Sequence, residues 1–257
     1  MPPPSCNSEP RHSKMQVQPP SRTSNSNQKR TLPQNAFQHQ QQSGTSRPNQ
    51  PNSSTIYIGD SIFTDFDPLK LSSEQQEASV FHFNGSDAKR MHNKIKFNER
   101  LKALQKESPK VYRAFLLCGA NDVENIQLVK GNMLLDQVKQ QLKTNVELIL
   151  QMFPQATLGL VNILPRADPA KQQVANELND FLENLSTRYG NRVNLIDTYH
   201  NGLLSSKRGK ERIARFFRSV HPDDTDNVHL NLAGAARLAK HLKFIAHKGY
   251  SQFRTSR

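Results

Sequence analysis

The sequence predicts an α/β domain with a parallel β-sheet covered by helices on both faces, preceded by a disordered tail. Two observations carry this prediction. Short apolar runs of strand length alternate with longer amphipathic stretches from residue 55 onward, which is typical of a parallel sheet with helical crossovers. Residues 1–54 are instead rich in Pro, Ser, Asn and Gln, and hold too little apolar surface to offset the entropy of ordering. We therefore divide the chain into a disordered basic tail over residues 1–54 and one domain over residues 55–250.

Five short apolar runs predict the strands in chain order. They cover residues 56–58, 80–83, 111–118, 156–164 and 192–197. Amphipathic stretches predict helices between the third and fourth runs, between the fourth and fifth, and near the C-terminus, because apolar residues recur there every three or four positions. Handed crossovers would place the carboxyl ends of the strands at one edge of the sheet, where ligand sites form in such folds.

Small and polar residues follow the first three runs. These residues are Gly59, Asp60 and Ser61, then Gly85, then Gly119, Asn121 and Asp122. Each group on its own has a simpler explanation as a turn, since Gly, Asp, Asn and Ser are the usual turn formers. Together they would meet at one edge of the sheet, which favours a displayed nucleophile surrounded by hydrogen-bond donors.

Asp226 and His229 form an i, i+3 pair shortly before the last predicted helix. On a tight turn the carboxylate would accept from one ring nitrogen and leave the other nitrogen as a base. The alternative is a helix N-cap followed by a surface histidine. The order along the chain favours the catalytic interpretation, because the nucleophile comes first, the donors follow and the Asp/His pair comes last.

Over most of residues 55–247 the sequence resembles the SGNH or GDSL hydrolase superfamily. The motifs that carry the resemblance are Gly59-Asp60-Ser61, Gly119-x-Asn121-Asp122 and Asp226-x-x-His229, with a weaker match at Gly85. The resemblance implies a flavodoxin-like three-layer α/β/α sandwich with a parallel sheet of about five strands. The sequence is also similar to the branch that contains the C-terminal domain of the insect germ-plasm protein Oskar, and to retroelement-encoded esterases.

The same resemblance implies the chemistry of the site. Ser61 would be the nucleophile, His229 its base and Asp226 the residue that orients the base. The oxyanion donors would be the backbone N–H groups of Ser61 and Gly85 and the side chain of Asn121. The implied function is a serine ester hydrolase that acts through an acyl-enzyme on an ester of unknown kind, without metal or cofactor.

Positive charge suggests a second kind of partner. The chain has a formal net charge of +13, and basic residues recur at helical spacing in two segments. The candidate nucleic-acid contacts are Lys89, Arg90, Lys94, Lys207, Arg208, Lys210, Arg212, Arg215 and Arg218. The alternative function is therefore an RNA-binding module on an SGNH-like scaffold with little or no hydrolase activity, and the alternative for the charges is a solvated helix face.

The sequence does not suggest a disulfide-rich, metal-binding, secreted or membrane-spanning protein. The chain has two cysteines, Cys6 and Cys118, which form neither a disulfide framework nor a metal-binding pattern. We expect Cys118 to be a small buried residue. The first residues lack the pattern of a secretory signal, and no apolar run reaches the length of a membrane span. These features predict a cytoplasmic protein, with nuclear or ribonucleoprotein-granule association left open.

Overall fold

The sheet of this protein is parallel throughout and follows the flavodoxin-like strand order. A computed structural model describes residues 53–106, 110–126, 133–198, 216–217 and 229–248. In these ranges it has five strands in the order β2-β1-β3-β4-β5, and all four neighbouring pairs are parallel. The strands are β1 (Ser53–Gly59), β2 (Gln76–His82), β3 (Val111–Leu117), β4 (Thr157–Val161) and β5 (Val193–Ile196).

Helices connect the strands and cover the sheet. Their bounds are α1 (Pro68–Leu71), α2 (Ala88–Phe97), α3 (Glu99–Lys106), α4 (Ala120–Asn125), α5 (Met133–Met152), α6 (Pro169–Tyr189) and α7 (Leu232–Lys248), with 3₁₀ turns at Ser61–Phe63 and Gly190–Arg192. Local sequence explains where α6 begins. Asp168 accepts from the N–H groups of Ala170 and Lys171 at the start of α6, where Pro169 occupies the first turn. No helix in the described ranges is both long enough and apolar enough to cross a membrane.

Two hydrophobic clusters lie on opposite faces of the sheet. Ile56 and Ile58 of β1 belong to the cluster that includes residues of α2, α5 and α6. Tyr57, between them, belongs to the cluster that includes residues of α7 and the Ser61–Phe63 turn, and its ring stacks on Phe115 with centroids 5.0 Å apart. Successive residues of a strand point to opposite faces, so a strand buried on both faces is apolar without alternation. This arrangement confirms the three-layer α/β/α fold.

The ends of the strands differ from the apolar runs in physically simple ways. The predicted tail lies outside the described residues except for Ser53 and Ser54, which begin β1. At the other end, the predicted fourth strand continued to residue 164, whereas β4 ends at Val161. The Ile163 N–H donates to the side chain of Asn179 at 2.7 Å, and that side chain donates back to the Ile163 carbonyl at 3.0 Å. A side chain of α6 thus replaces the next strand as hydrogen-bond partner.

Candidate active site

The first strand ends in a tight turn that displays Ser61. Asp60 precedes the 3₁₀ turn, and its Oδ1 accepts from the Ile62 N–H at 3.0 Å while its carbonyl accepts from the Phe63 N–H at 3.2 Å. Gly59 lets the chain bend closely, since a Cβ there would lie 2.6 Å from the Phe63 ring. The turn residue Asp60 is therefore buried under the site while Ser61 stands at the carboxyl edge of the sheet.

His229 lies against that serine. Its Nε2 is 2.8 Å from Ser61 Oγ, although the two residues are 168 positions apart in the chain. The segment after His229 is anchored at the start of α7, where Asn231 Oδ1 accepts from the Gly234 N–H at 2.9 Å and the Asn231 N–H donates to the Phe216 carbonyl. The distance suits proton transfer between a hydroxyl and an imidazole. Asp226, which we predict to orient His229, lies outside the described residues.

The loop after β2 is tied to the serine turn. The Phe83 N–H donates to the Gly59 carbonyl at 2.8 Å, and Thr64 Oγ1 donates to Asn84 Oδ1 at 3.0 Å. Gly85 follows with a φ of +63°, a left-handed conformation that favours glycine. The structure thus places Gly85 in a loop bonded to the Ser61 turn, and its role as an oxyanion donor stays a prediction.

The loop after β3 brings an amide side chain to the same edge. Gly119 is the N-cap of α4 and has a φ of +105°, which a residue with a Cβ would adopt only with strain. Asn121 Nδ2 then donates to the Ser86 carbonyl at 3.0 Å, and Asp122 Oδ2 accepts from the Ala88 N–H at 2.9 Å. These two bonds join the loops that carry the second and third motifs. An amide nitrogen has two hydrogens, and this bond uses one of them.

Burial changes the acidity of two carboxyl groups beneath the site. Desolvation raises the pKa of Asp60 to about 6, although the Ile62 N–H and the positive charge of Arg166 act against the rise. Desolvation likewise raises the pKa of Asp122 to about 6, against the bond from the Ala88 N–H. The carboxyl groups are therefore costly to ionise, because low-dielectric surroundings disfavour the charged form.

Cys118 has no sign of reactivity. Burial raises the pKa of its thiol well above the usual range, so the thiolate that a nucleophile needs is disfavoured. This agrees with the expectation of a small buried residue. Among the residues that the structure describes, no group of three His, Cys, Asp or Glu side chains lies close enough to hold a metal ion.

No protein-family model matches the sequence, and no curated protein matches it. Solved structures do match. A member of the lipolytic protein G-D-S-L family from Veillonella parvula is similar with a TM-score of 0.55 and 20% identity, covering 76% of this chain and 98% of that one. The acetyl xylan esterase AlAXEase is similar with a TM-score of 0.54 and 15% identity, covering 76% and 99%. Axe2, an acetylxylan esterase from Geobacillus stearothermophilus, has a TM-score of 0.51 and 15% identity, covering 78% and 97%. The chain has the fold of the GDSL, or SGNH, hydrolases.

Within this GDSL fold, the motif residues predicted from the sequence occupy the carboxyl edge as expected, apart from Asp226, which is not described. The likeness does not separate the branches of the superfamily. The relation to the Oskar C-terminal domain or to retroelement esterases therefore stays a prediction, and so do the catalytic roles of the individual residues.

The sequence did not indicate two buried polar residues near the carboxyl edge of the sheet. Arg166 follows the apolar run of β4 and is only 5% exposed. Asn145 is fully buried in α5, where its Nδ2 donates to the Ala88 carbonyl at 2.9 Å. The available signals were a basic residue directly after a buried strand and a polar residue on the apolar stripe of a helix. Residues at solvent-exposed positions often show the same two signals, so the sequence alone could not identify Arg166 and Asn145 as buried.

The predicted nucleic-acid contacts divide into two groups. Lys89, Arg90 and Lys94 are exposed on α2, while the candidates between residues 207 and 218 lie outside the described residues. An aromatic side chain accompanies the exposed group, since Phe97 at the end of α2 is 63% exposed. We call a set of exposed basic and aromatic side chains on α2 and α3 the basic surface. Its members are Lys89, Arg90, Lys94, Lys96, Phe97 and Arg100.

Proposed function

We propose that this protein is a serine ester hydrolase. The observation that carries the proposal is the 2.8 Å separation of Ser61 Oγ and His229 Nε2 at the carboxyl edge of a GDSL-hydrolase fold. A serine hydroxyl is a weak nucleophile on its own, and an imidazole within hydrogen-bond reach is the usual means of activating it. The fold supports the same chemistry, because its similar structures include proteins named as lipolytic and as acetylxylan esterases.

The proposed reaction runs through an acyl-enzyme. Ser61 Oγ attacks the ester carbonyl carbon while His229 Nε2 accepts the hydroxyl proton, and the imidazolium then gives that proton to the departing alcohol. Water repeats the sequence on the acyl group and restores the serine. In this proposal Asp226 accepts from the other ring nitrogen of His229 and holds the tautomer that leaves Nε2 as a base.

The negative charge of the tetrahedral intermediate would be held by fixed donors. We assign this role to the side chain of Asn121 and to the backbone N–H groups of Ser61 and Gly85. Asn121 is already held by its bond to the Ser86 carbonyl at 3.0 Å, so its second hydrogen needs little reorganisation when the charge develops. One such donor contributes about 3–4 kcal/mol to transition-state stabilisation.

Hydrolysis of p-nitrophenyl acetate tests this proposal, with Ser61→Ala as the decisive variant. An acetyl ester is the first choice because two of the similar structures are named as acetylxylan esterases. Ser61→Ala should lower kcat by about 10³-fold or more, since little beyond binding and the oxyanion donors remains. Ser186→Ala, which removes a hydroxyl bound to the Glu183 carbonyl in α6, is the matched control and should leave kcat unchanged. Wild-type protein that is no faster than Ser61→Ala would refute the proposal.

A second candidate function is binding of single-stranded nucleic acid at the basic surface. The observation that favours it is the environment of Phe97, whose exposed ring has the ammonium groups of Lys96 and Lys102 at 5.6 and 5.9 Å from its centroid. An exposed ring among cations can stack on a base while the cations meet phosphates. This function is compatible with hydrolysis, because it uses a different set of side chains.

Fluorescence anisotropy with a short single-stranded RNA tests the second candidate. Phe97→Ala should weaken binding by about 1–3 kcal/mol, which is the usual contribution of one stacked base. Phe244→Ala removes another exposed phenylalanine, on α7, and should not change the affinity. The affinity should also fall with salt, with a log–log slope of about −0.7 per phosphate contacted. Binding that is indifferent to Phe97 would remove the basic surface from the account.

A further inference from the structure

Arg166 is a buried cation whose guanidinium contacts two backbone carbonyl groups and one carboxylate. Its Nη1 donates to the Leu164 carbonyl at 3.1 Å, its Nη2 donates to the Ala120 carbonyl at 3.1 Å, and its Nε lies 3.3 Å from Glu124 Oε1. A buried guanidinium is costly unless its donors are matched, and well-packed apolar residues often stabilise a fold better. The contacts therefore call for an explanation other than stability alone.

Those contacts lie on both sides of the proposed oxyanion donor. Ala120 and Glu124 are the first and fifth residues of α4, and Asn121 is between them. The helix has six residues, and its N-cap, Gly119, provides no side-chain hydrogen bond, so the helix has little stability of its own. Arg166 fastens this short helix to the segment that follows β4.

We infer that Arg166 is a positioning residue for Asn121: its guanidinium fixes the first turn of α4 and thereby aims the Asn121 amide at the place where the oxyanion would form. The inference rests on the proposed function and deepens it. Donors that stabilise a developing charge must be held within a few tenths of an ångström. The bond from Asn121 to the Ser86 carbonyl fixes the end of the side chain, whereas Arg166 fixes the backbone from which it projects.

The chemistry of arginine suits this task. Its planar group offers several donors in fixed directions, and it reaches two carbonyl oxygens and a carboxylate at once. A lysine would bring one ammonium group, which cannot reproduce contacts to Leu164, Ala120 and Glu124 in their present directions. Arg166→Lys therefore keeps the buried positive charge but loses part of the positioning.

Lys171, in α6, provides a matched comparison because its side chain also contacts α4. Its Nζ donates to the Val123 carbonyl at 3.2 Å and to the Glu124 carbonyl, which lie in the last turn of α4. Lys171→Met thus removes a cation from α4 on the side away from the first turn. If Arg166 acted only by anchoring the helix, both substitutions would have similar consequences for catalysis.

The test is a set of kinetic constants on p-nitrophenyl acetate for Arg166→Met, Arg166→Lys and Lys171→Met, each with and without Asn121→Ala. Arg166→Met should lower kcat by about 10²-fold with little change in KM, because a donor used only in the transition state is misplaced. Arg166→Lys should recover part of this loss, and Lys171→Met should change kcat by less than about threefold. In the Asn121→Ala background, Arg166→Met should cost less than about threefold, because residues acting through one another are not additive.

Equal losses from Arg166→Met in both backgrounds, or a loss from Lys171→Met as large as that from Arg166→Met, would overturn the inference. Arg166→Lys carries the same test if Arg166→Met does not fold. The ¹H–¹⁵N side-chain amide signals of Asn121 provide a readout that needs no activity. They should shift or broaden in the Arg166 variants and stay unchanged in Lys171→Met. Unchanged signals in the Arg166 variants would overturn the inference. Wild-type protein that is no faster than Ser61→Ala would instead refute the proposed hydrolase, and the amide signals would still report whether Arg166 positions Asn121.

Discussion

The Ser61 turn is largely buried and held by directed hydrogen bonds, whereas the basic surface consists of exposed side chains. Asp60, below Ser61, is fully buried and its turn is fixed by directed hydrogen bonds. On α2, Lys89 and Arg90 are exposed, and the ion pair of Arg90 with Asp87 is long at 3.6 Å. Exposed pairs of this kind contribute little to stability, because water screens them and the side chains lose entropy.

Single substitutions should therefore have very different effects in the two regions. At the Ser61 turn each group has one position and one partner, so removing a group should change catalysis by orders of magnitude. On the basic surface several similar charges share one task, so each should contribute a small and nearly additive part.

Replacing the proposed base should have the largest effect. His229→Ala leaves Ser61 without a proton acceptor, and kcat on p-nitrophenyl acetate should fall by about 10³-fold or more. His247→Ala, which removes an exposed histidine near the end of α7, should retain the activity. A modest loss in His229→Ala, comparable with that of the control, would mean that the 2.8 Å contact is not catalytic.

Removing the amide donor should cost somewhat less. Asn121→Ala should lower kcat by about 10²–10³-fold with KM nearly unchanged, because the donor acts on charge that appears only in the transition state. Asn93→Ala, which removes an exposed amide side chain on α2, is the matched control and should leave kcat unchanged. An increase in KM without a change in kcat would show that Asn121 binds substrate instead.

A buried charge below the site should make stability depend on pH. Between the usual pKa of 3.8 and the folded value of about 6, folded Asp60 keeps a proton that the unfolded chain has lost. The free energy of unfolding therefore falls as the pH rises through this window, by up to ~3 kcal/mol, and is level above it. Asp60→Asn can still accept from the Ile62 N–H but has no such proton.

The Tm of Asp60→Asn minus that of wild type should accordingly rise from pH 4 to about pH 6.5 and then level off. Asp122 titrates in both proteins and its charge is the smallest cause of the Asp60 shift, so most of its contribution cancels in the difference. Thermal melts in a series of buffers measure this directly. A difference that does not change with pH would show that the carboxyl group is less desolvated than its burial indicates.

The smallest effects on stability should come from the basic surface. Replacing Lys89, Arg90 and Lys94 together by Glu should change the free energy of unfolding by less than about 0.5 kcal/mol per residue, since each side chain is exposed. The same variant should bind single-stranded RNA more weakly and with a shallower salt dependence. Retained affinity and an unchanged salt slope would assign any binding to another part of the chain.

The sequence predicted the sheet and the positions of the motif residues, but not the contacts that support them. The apolar runs located all five strands, because strands buried on both faces need continuous apolar residues, and β1 with Ile56, Tyr57 and Ile58 is the clearest case. The sequence also predicted that the residues after the first three strands would meet at one edge, since parallel strands share the direction of their carboxyl ends.

The supporting contacts were beyond its reach. Nothing in the local pattern shows that Arg166 turns inward to the carbonyl of Ala120, which is 46 positions away. The exposure of Phe97 was equally hidden, because Phe216 and Phe217, in a similar basic segment, are buried. Such details depend on which elements pack together, and that is decided by the whole fold.

Labelling with a fluorophosphonate probe would show whether Ser61 is an activated nucleophile, because the probe bonds covalently to a serine only when the hydroxyl is activated. Intact mass and peptide mapping would identify the modified residue. We expect one label per chain on Ser61, lost in Ser61→Ala and in His229→Ala and retained in His247→Ala. Absence of labelling in folded wild-type protein, or labelling that persists without His229, would contradict it.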